Sequence, residues 1–545
     1  MPTRQDGSEG LYTINQNRLA KLGARLFSLA ENAYNISMKP PYGVRQRKEI
    51  KMKFISTRGA SPEGVSSAYA IKTGLASDGG LFMPESIPEI DLDFIKELVP
   101  LSYPERAARV LSLFLTDYSY EELLEDAEAA YGNGKFTPSP APVSSLGGGK
   151  YMLELWHGPT SAFKDMALQI MPRLFVRALR KCDEERTALI LVATSGDTGK
   201  AALEGYRDVP GTKIKVFYPI DGVSRVQKMQ MQTQEGENVS VVGIRGNFDD
   251  AQTGVKKIFS DGEFAEKLNE GGVFLSSANS INWGRLVPQI VYYISAYCDM
   301  YAQGTLALGE PLDVCVPTGN FGNIFAAYIA KLMGAPVGKL ICASNENNVL
   351  TEFLACGRYN KNRAFRTTMS PSMDILISSN LERLLYTVVG AEKTAEYMKR
   401  LSADGEYTLT SSEFLKIAEN FVGYYTSEDE CRATVKRIYE KEGCLIDTHT
   451  AVAVSAAERY INDGKAAARV LVVSTASPYK FAGDVLLSLT GEKPCDDLLA
   501  PARLLEYTGV EIPAPLSATL SKAPVHLDVI DREAMPSSVL EFALD

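Results

Sequence analysis

Lys164 lies in the stretch ELWHGPTSAFKDMALQ, residues 154–169, between Phe163 and Asp165 and close to Ala162, Met166, Ala167 and Leu168. An amine among small and apolar side chains is costly to keep charged, so it can lose its proton and attack a carbonyl carbon, as a Schiff-base lysine does. A solvated lysine on a helix face has the same local sequence, so the case turns on what else the chain could bring to this amine. Two stretches could bring anions. Thr194-Ser195-Gly196-Asp197-Thr198-Gly199 follows an apolar run at 188–193 and leads into a helical stretch at 200–206. Such a turn offers free N–H groups at the positive end of a helix dipole, or it is a plain helix cap through Ser195 or Asp197. Pro317-Thr318-Gly319-Asn320-Phe321-Gly322-Asn323 lies between another apolar run, 314–316, and a helical stretch at 324–332. Its two glycines let backbone approach a phosphate, and Thr318, Asn320 and Asn323 add side-chain donors. The run GGGK at 147–150 is not a Walker-type phosphate loop, because no GK[ST] follows and no strand leads cleanly into it.

The elements that must hold these residues are legible as alternation. Runs that are continuously apolar or nearly so, at 188–193, 214–218, 239–244, 273–276, 314–316, 340–343 and 470–473, are mostly separated by helical stretches of ten or more residues. That is the sequence form of parallel strands covered on both faces, so the fold class is α/β with open sheets. Before it come a turn at Asp78-Gly79-Gly80 ahead of an apolar strand and a mostly helical region at 91–131, closed by Pro138, Pro140 and Pro142. There is no internal repeat, so a solenoid is excluded.

A chain of 545 residues implies two to four domains. With 45% hydrophobic and 23% charged residues and no apolar run near the ~20 residues of a membrane span, a soluble protein is expected. The formal net charge of −10 argues against nucleic acid as the main partner, although a local basic pocket is still allowed. Eight cysteines without a CxxC pair and only three histidines make a dedicated zinc site improbable, so no metal is expected. Buried free thiols in a reducing compartment, hence a cytoplasmic protein, fit better. Residues 1–51 are basic, with an amphipathic piece at 17–32 broken by Lys39-Pro40-Pro41; they have no apolar signal core, and their acids weigh against a transit peptide. They read as a leader outside a fold that begins near Met52.

ELWHGPTSAFKD resembles the ELFHGPTxAFKD signature of threonine synthases, pyridoxal 5′-phosphate (PLP) enzymes of fold type II, with Trp156 in place of the usual Phe. The resemblance continues in order through MKFISTRG from Met52, GLASDGGLFMPE at 74–85, TSGDTG, NFDDAQ at 247–252, SANSINWGR at 277–285, PTGNFGN, NENN at 345–348, SPSMDILISSNLER at 370–383, DTHTAVA at 447–453 and STASPYKF at 474–481. The last fifty residues match only loosely. The resemblance implies that Lys164 carries PLP, that loop 194–199 holds the substrate's α-carboxylate, and that Asp197 lies beside the cofactor's phenolic oxygen, where related enzymes have Asn. It further implies that Thr318, Gly319, Asn320, Phe321, Gly322 and Asn323 cradle the cofactor phosphate, Asn323 replacing a common Asp, and that the Thr475 hydroxyl meets the pyridine nitrogen. Ser477 and Tyr479 depart from the family's His and Ala.

Ser280, Asn282 and Arg285 offer donors for a substrate phosphate, with a surface ion pair as the other reading of Arg285. His449 reads as a packed or capping residue. The implied reaction converts O-phospho-L-homoserine and water to L-threonine and phosphate. Alternatives are a related threonine or serine dehydratase and a non-catalytic PLP-binding relative. The implied organisation is an amino-terminal domain at 52–145, a large PLP domain at 146–186 and 271–545, and a small domain at 187–270, in a chain expected to be monomeric.

Overall fold

All seven apolar runs lie in strands, and alternate residues along them face different cores. In the strand Val470–Ser474, Val470 and Val472 join one buried cluster and Leu471 and Val473 another. In Thr187–Ala193, the residues Ala188, Ile190 and Val192 face one core while Leu189 and Leu191 face a different one. Burial on both faces removes the period-two polarity of a half-exposed strand, which is why these runs are apolar nearly throughout. The computed structural model describes residues 51–221, 223–466 and 469–545, of which Met52–Asp545 form one unit. The expected leader, 1–51, lies outside the described residues apart from Lys51.

Fifteen strands form four sheets among the described residues. A short antiparallel pair joins β1 (Phe54–Ser56) to β2 (Phe82–Pro84). The larger sheet contains β3 (Val143–Ser145) and β4 (Lys150–Glu154). A smaller sheet contains β5 (Thr187–Ala193), β6 (Thr212–Pro219), β7 (Val239–Arg245) and β8 (Val273–Ser276). To the larger sheet belong β9 (Leu312–Pro317), β10 (Val337–Ser344), β13 (Phe421–Tyr425) and β14 (Val470–Ser474), while β11 (Arg358–Asn360) pairs with β12 (Glu406–Thr408). The smaller sheet ends at β15 (Val529–Asp531). The orders are β13-β10-β9-β14-β4-β3, parallel except for β3, and β15-β7-β6-β5-β8, parallel throughout.

Three expected boundaries move. The 52–145 domain was drawn to include β3, which pairs with β4 in the larger sheet, and the GGGK run is the turn between them. The boundary at 270 falls one strand early, since β8 borders the smaller sheet. Residues 529–545 leave the large domain: β15 pairs with β7, and Met535, Val539 and Ala543 of the helix Met535–Leu544 pack beside Leu189, Leu191 and Phe217. A three-residue edge strand has too little sequence to announce its partner. Cys356 and Cys495 are exposed rather than buried, while Cys298, Cys315, Cys342 and Cys431 are buried free thiols. Among the described residues no helix is long and apolar enough to cross a membrane, and no group of three or more His, Cys, Asp or Glu is placed to hold a metal.

The helix Trp283–Ala302 braces the layers, packing against the helices Tyr103–Leu111, Asp165–Leu168 and Gly322–Met333. Asn282 caps it. Its Oδ1 accepts from Gly284 N–H at 2.8 Å, and its Nδ2 donates to the Ile71 carbonyl at 2.8 Å, with the residue fully buried. Removing a cap costs about 1 kcal/mol, and leaving a buried carbonyl unpaired costs about 1–3 kcal/mol more. Asn282→Ala is therefore expected to lower unfolding stability by roughly 2 kcal/mol in urea titration; an unchanged midpoint would refute the brace.

Candidate active site

Lys164 directly precedes the helix Asp165–Leu168, on the stretch that leaves the carboxyl end of β4. That stretch is sewn to the loop after β14. Leu155 N–H donates to Ser474 O at 3.0 Å, Phe163 N–H to Thr475 O at 2.8 Å, and Ser477 N–H to Ser161 O at 3.0 Å. Trp156 adds an indole N–H bond to Ser474 Oγ at 3.0 Å, which a phenylalanine there could not make. Lys164 is 9% exposed, with its Nζ 4.8 Å from the Phe163 ring centroid. Burial pushes the amine below its usual pKa; Asp197 opposes the shift, and Lys480 and Arg285 add to it.

Asp197 reaches the same amine from the smaller sheet, as the first residue of the helix Asp197–Tyr206 beyond β5. Gly196 has φ 138°, and a Cβ there would lie 2.6 Å from Gln227 Cδ, so only glycine fits. Thr194 Oγ1 accepts from Gly196 N–H at 3.0 Å and Gly199 N–H at 2.9 Å, which shapes the turn. The N–H groups of Asp197 and Thr198 head the helix, where no intrahelical acceptor exists; Ser195 and Thr198 are half-buried. Asp197 Oδ2 lies 3.5 Å from Lys164 Nζ. Its Oδ1 lies 3.0 Å from Lys480 Nζ and accepts from Gln227 Nε2 at 2.7 Å. Burial alone would raise the pKa of this carboxyl, but Lys480 and then Lys164 outweigh it and hold the group well below the usual carboxylate range.

The phosphate-type loop joins β9 to the helix Gly322–Met333. Phe321 sits at φ 62°, a left-handed conformation that few non-glycine residues adopt. A Cβ on Gly319 would come within 2.7 Å of Ser372 O, so this turn also needs glycine. Thr318 Oγ1 donates to Val316 O at 2.7 Å, and the Asn320 carbonyl accepts from Asn380 N–H at 3.0 Å and Nδ2 at 3.1 Å. Asn323 Oδ1 accepts from the Tyr292 and Tyr293 hydroxyls at 2.5 Å each, while its Nδ2 is buried without an acceptor. An orphaned donor at a helix amino terminus fits a phosphate group. The arrangement also favours the observed Asn, because two tyrosine hydroxyls fix which way its amide points.

The remaining expected residues divide. Thr475 is buried in the loop sewn to the Lys164 stretch, and Ala476 bridges to Ala162. Ser477 accepts from Tyr479 N–H at 3.3 Å, and the Tyr479 hydroxyl bonds to the Val510 carbonyl, away from Lys164. Ser280 Oγ accepts from Asn380 Nδ2 at 3.4 Å. Asn282 uses its Oδ1 on the cap and one of its two Nδ2 N–H donors on Ile71 O. Arg285 is 3% exposed, donates through Nη1 to Ala278 O at 2.5 Å, and has a buried Nε without an acceptor. Burial lowers its pKa to about 10, with Tyr206 and Tyr292 opposing, so the surface-ion-pair reading does not apply. His449 is buried, accepting from Ser372 N–H at 3.2 Å with its other ring nitrogen 3.3 Å from Asp447.

Lys480, Gln227 and Gln230 were not expected here. Lys480 carried a signal, a lysine beside Phe481 inside an apolar block, which mirrors Phe163-Lys164. The glutamines carried none, because a helix face with Gln227 and Gln230 reads as solvated.

The family model for pyridoxal-phosphate dependent enzymes matches residues 128–476. The models for the threonine synthase N terminus and the threonine synthase C-terminal region match 53–131 and 450–523. The chain is 43% identical over 456 residues to human threonine synthase-like 1, covering 80% of this chain but 60% of that protein, so it spans about three-fifths of that relative. It is 38% identical over 452 residues to threonine synthase from Pseudomonas aeruginosa, covering 81% of this chain and 92% of that protein. The PLP-bound threonine synthase structure from Brucella melitensis superposes with TM-score 0.80 and 35% identity over 91% of this chain and 100% of that one. The yeast threonine synthase structure gives 0.80 and 32% over 91% and 98%. The chain thus belongs to the threonine synthase family of fold-type-II enzymes, with pyridoxal phosphate as its cofactor.

Proposed function

We propose that this chain is a threonine synthase, converting O-phospho-L-homoserine and water to L-threonine and phosphate. Arg285 carries the reading: it is a fully buried guanidinium with an orphaned Nε, near enough to Lys164 to depress its pKa, and it forms no ion pair with a carboxylate among the described residues. Buried charges are ordinarily paired, so this one calls for an anion from outside the chain. Loop 318–323 suits the cofactor's phosphate, and loop 194–199 an α-carboxylate. Arg285 is then left for a second phosphate, which a serine or threonine dehydratase substrate does not have.

Within this proposal Lys164 binds the cofactor's carbonyl carbon, its lowered pKa leaving more free amine near neutral pH. PLP, when bound, supplies a conjugated ring that takes up electron pairs from the substrate. With the cofactor bound, the Lys164 amine would be the group placed to take and return protons at the substrate's Cα and Cβ. Asp197 would hold the cofactor at its phenolic oxygen, and Thr475 would offer a neutral hydroxyl to its pyridine nitrogen. Ser280 and Arg285 hold the substrate phosphate until it leaves from Cγ. The opposed carboxyl ends of the two sheets keep bulk water from the reacting atoms. All these groups come from one chain, so a monomer suffices.

The deciding experiment adds O-phospho-L-homoserine to PLP-loaded protein. Equal release of phosphate and threonine is expected, and a cofactor band without phosphate release would move the assignment to a dehydratase. Lys164→Ala should lose both the borohydride-sensitive absorbance band and turnover, and an active variant would sink the mechanism. Arg285→Met should raise KM for the phosphorylated substrate about tenfold or more while leaving the band in place; an unchanged KM would remove Arg285 from the phosphate site. Thr475→Val should keep the band and slow turnover, and unaltered kinetics would take Thr475 away from the pyridine nitrogen.

A further inference from the structure

Lys480 is a second buried lysine at this site that none of the proposed steps uses. It lies at the end of the loop after β14 and its side chain is 0% exposed. Its Nζ donates to Thr160 O at 2.9 Å and to Gln230 Oε1 at 2.8 Å, and lies 3.0 Å from Asp197 Oδ1. Those three acceptors use all the protons of an ammonium group. Thr160 belongs to the stretch that presents Lys164, whereas Gln230 comes from the helix Arg225–Gln232 and Asp197 follows β5 of the smaller sheet. Every contact of the Lys480 ammonium group therefore ends on a segment that carries Lys164 or Asp197 or on the helix that packs beside them, and two of them cross from the larger sheet to the smaller.

We propose that Lys480 is a positioning residue: it clamps Asp197 across the cleft as a carboxylate, and the two form one charge-neutral unit against which the Lys164 amine is set. The proposal rests on the functional reading in one respect, that Lys164 is the residue joined to the cofactor. Among the described residues, Asp197 is the only carboxylate within ion-pair distance of either lysine.

The other charged groups around the pair are Lys200, Glu204, Asp165 and Arg285. Lys200 and Glu204 bond to each other at 3.0 Å on the helix that Asp197 begins. Asp165, on the helix after Lys164, accepts from Thr160 N–H and Oγ1 at 2.8 and 2.7 Å, and burial pushes its pKa up to about 6. Arg285, from the helix Trp283–Ala302, adds a positive field at Lys164. The helix Arg225–Gln232 contributes only the uncharged Gln227 and Gln230. Removing Lys480 alone leaves Asp197 to Lys164, and removing Asp197 alone leaves two ammonium groups and a guanidinium unbalanced in a dry site. Removing both keeps the charge balance.

The test compares PLP-loaded parent protein with Lys480→Met, Asp197→Asn and the double variant, without substrate. It reads the pH midpoint of the cofactor's absorbance band and the rate of cofactor loss. An uncompensated anion favours the protonated amine, so Lys480→Met should move the midpoint up by about one pH unit or more; Asp197→Asn should move it down by about as much. Both single variants should lose cofactor about tenfold faster, and the double variant should return to within about threefold of the parent because the two sites are coupled. A single variant that fails to fold while the double variant folds is the same rescue read in folding. Single shifts in the same direction, or a double variant no closer to the parent than the worse single variant, would overturn the proposal. Shifts as expected in a protein that makes no threonine would overturn the assigned reaction and leave the clamp standing.

Discussion

An amine kept out of water must either give up its proton or be held beside a counter-charge, and the way Lys164 is treated governs the layout of this chain. Burial, Lys480 and Arg285 all push the proton off, and only Asp197 pulls it back. Asp197 comes from a different sheet, so the amine has its partner only when the carboxyl ends of the two sheets face one another. The site is consequently a property of the whole unit. Neither sheet alone holds a balanced set of charges, and folding one against the other brings two buried lysines to one carboxylate.

That opposition needs a rigid frame, and two features supply it. Backbone bonds join the Lys164 stretch to the loop after β14, so the proposed nucleophile and Thr475 share one foundation. The helix Trp283–Ala302 then connects three functions: Asn282 anchors its start, Arg285 leaves an unsatisfied donor beside the amine, and Tyr292 and Tyr293 orient Asn323 in the phosphate-type loop. A disturbance at the cap would be felt at the phosphate loop because the helix transmits it as a rigid body. The departures from the family's usual residues fit the same frame. Trp156 gains an indole bond to Ser474, and Ser477 and Tyr479 are taken up by a turn cap and by packing.

The smaller sheet is completed by the end of the chain, through β15 and the helix Met535–Leu544. One of its faces is thereby covered by residues nearly 300 positions beyond β7. The carboxyl-terminal residues thus belong to the lobe that carries Asp197, although their sequence lies next to the larger sheet's last helices.

The sequence by itself determined the α/β class and the seven doubly buried strands, because each of these is written locally. Burial on both faces makes a strand apolar nearly throughout, whichever sheet the chain takes it to. Strands β4 and β13 were missed because Lys150, Glu154 and Gly423 interrupt their apolar character, and β15 because three residues are too few. Tertiary structure alone decided which charges meet. Lys480, Gln227, Gln230 and Asp197 are drawn from distant segments, and nothing local to any of them states the others' positions. It also decided that Asn282 is a cap, since only packing brings Ile71 O to its amide. Local propensity is a property of a few neighbours, whereas charge compensation in a buried site depends on elements hundreds of residues apart coming to the same few ångströms.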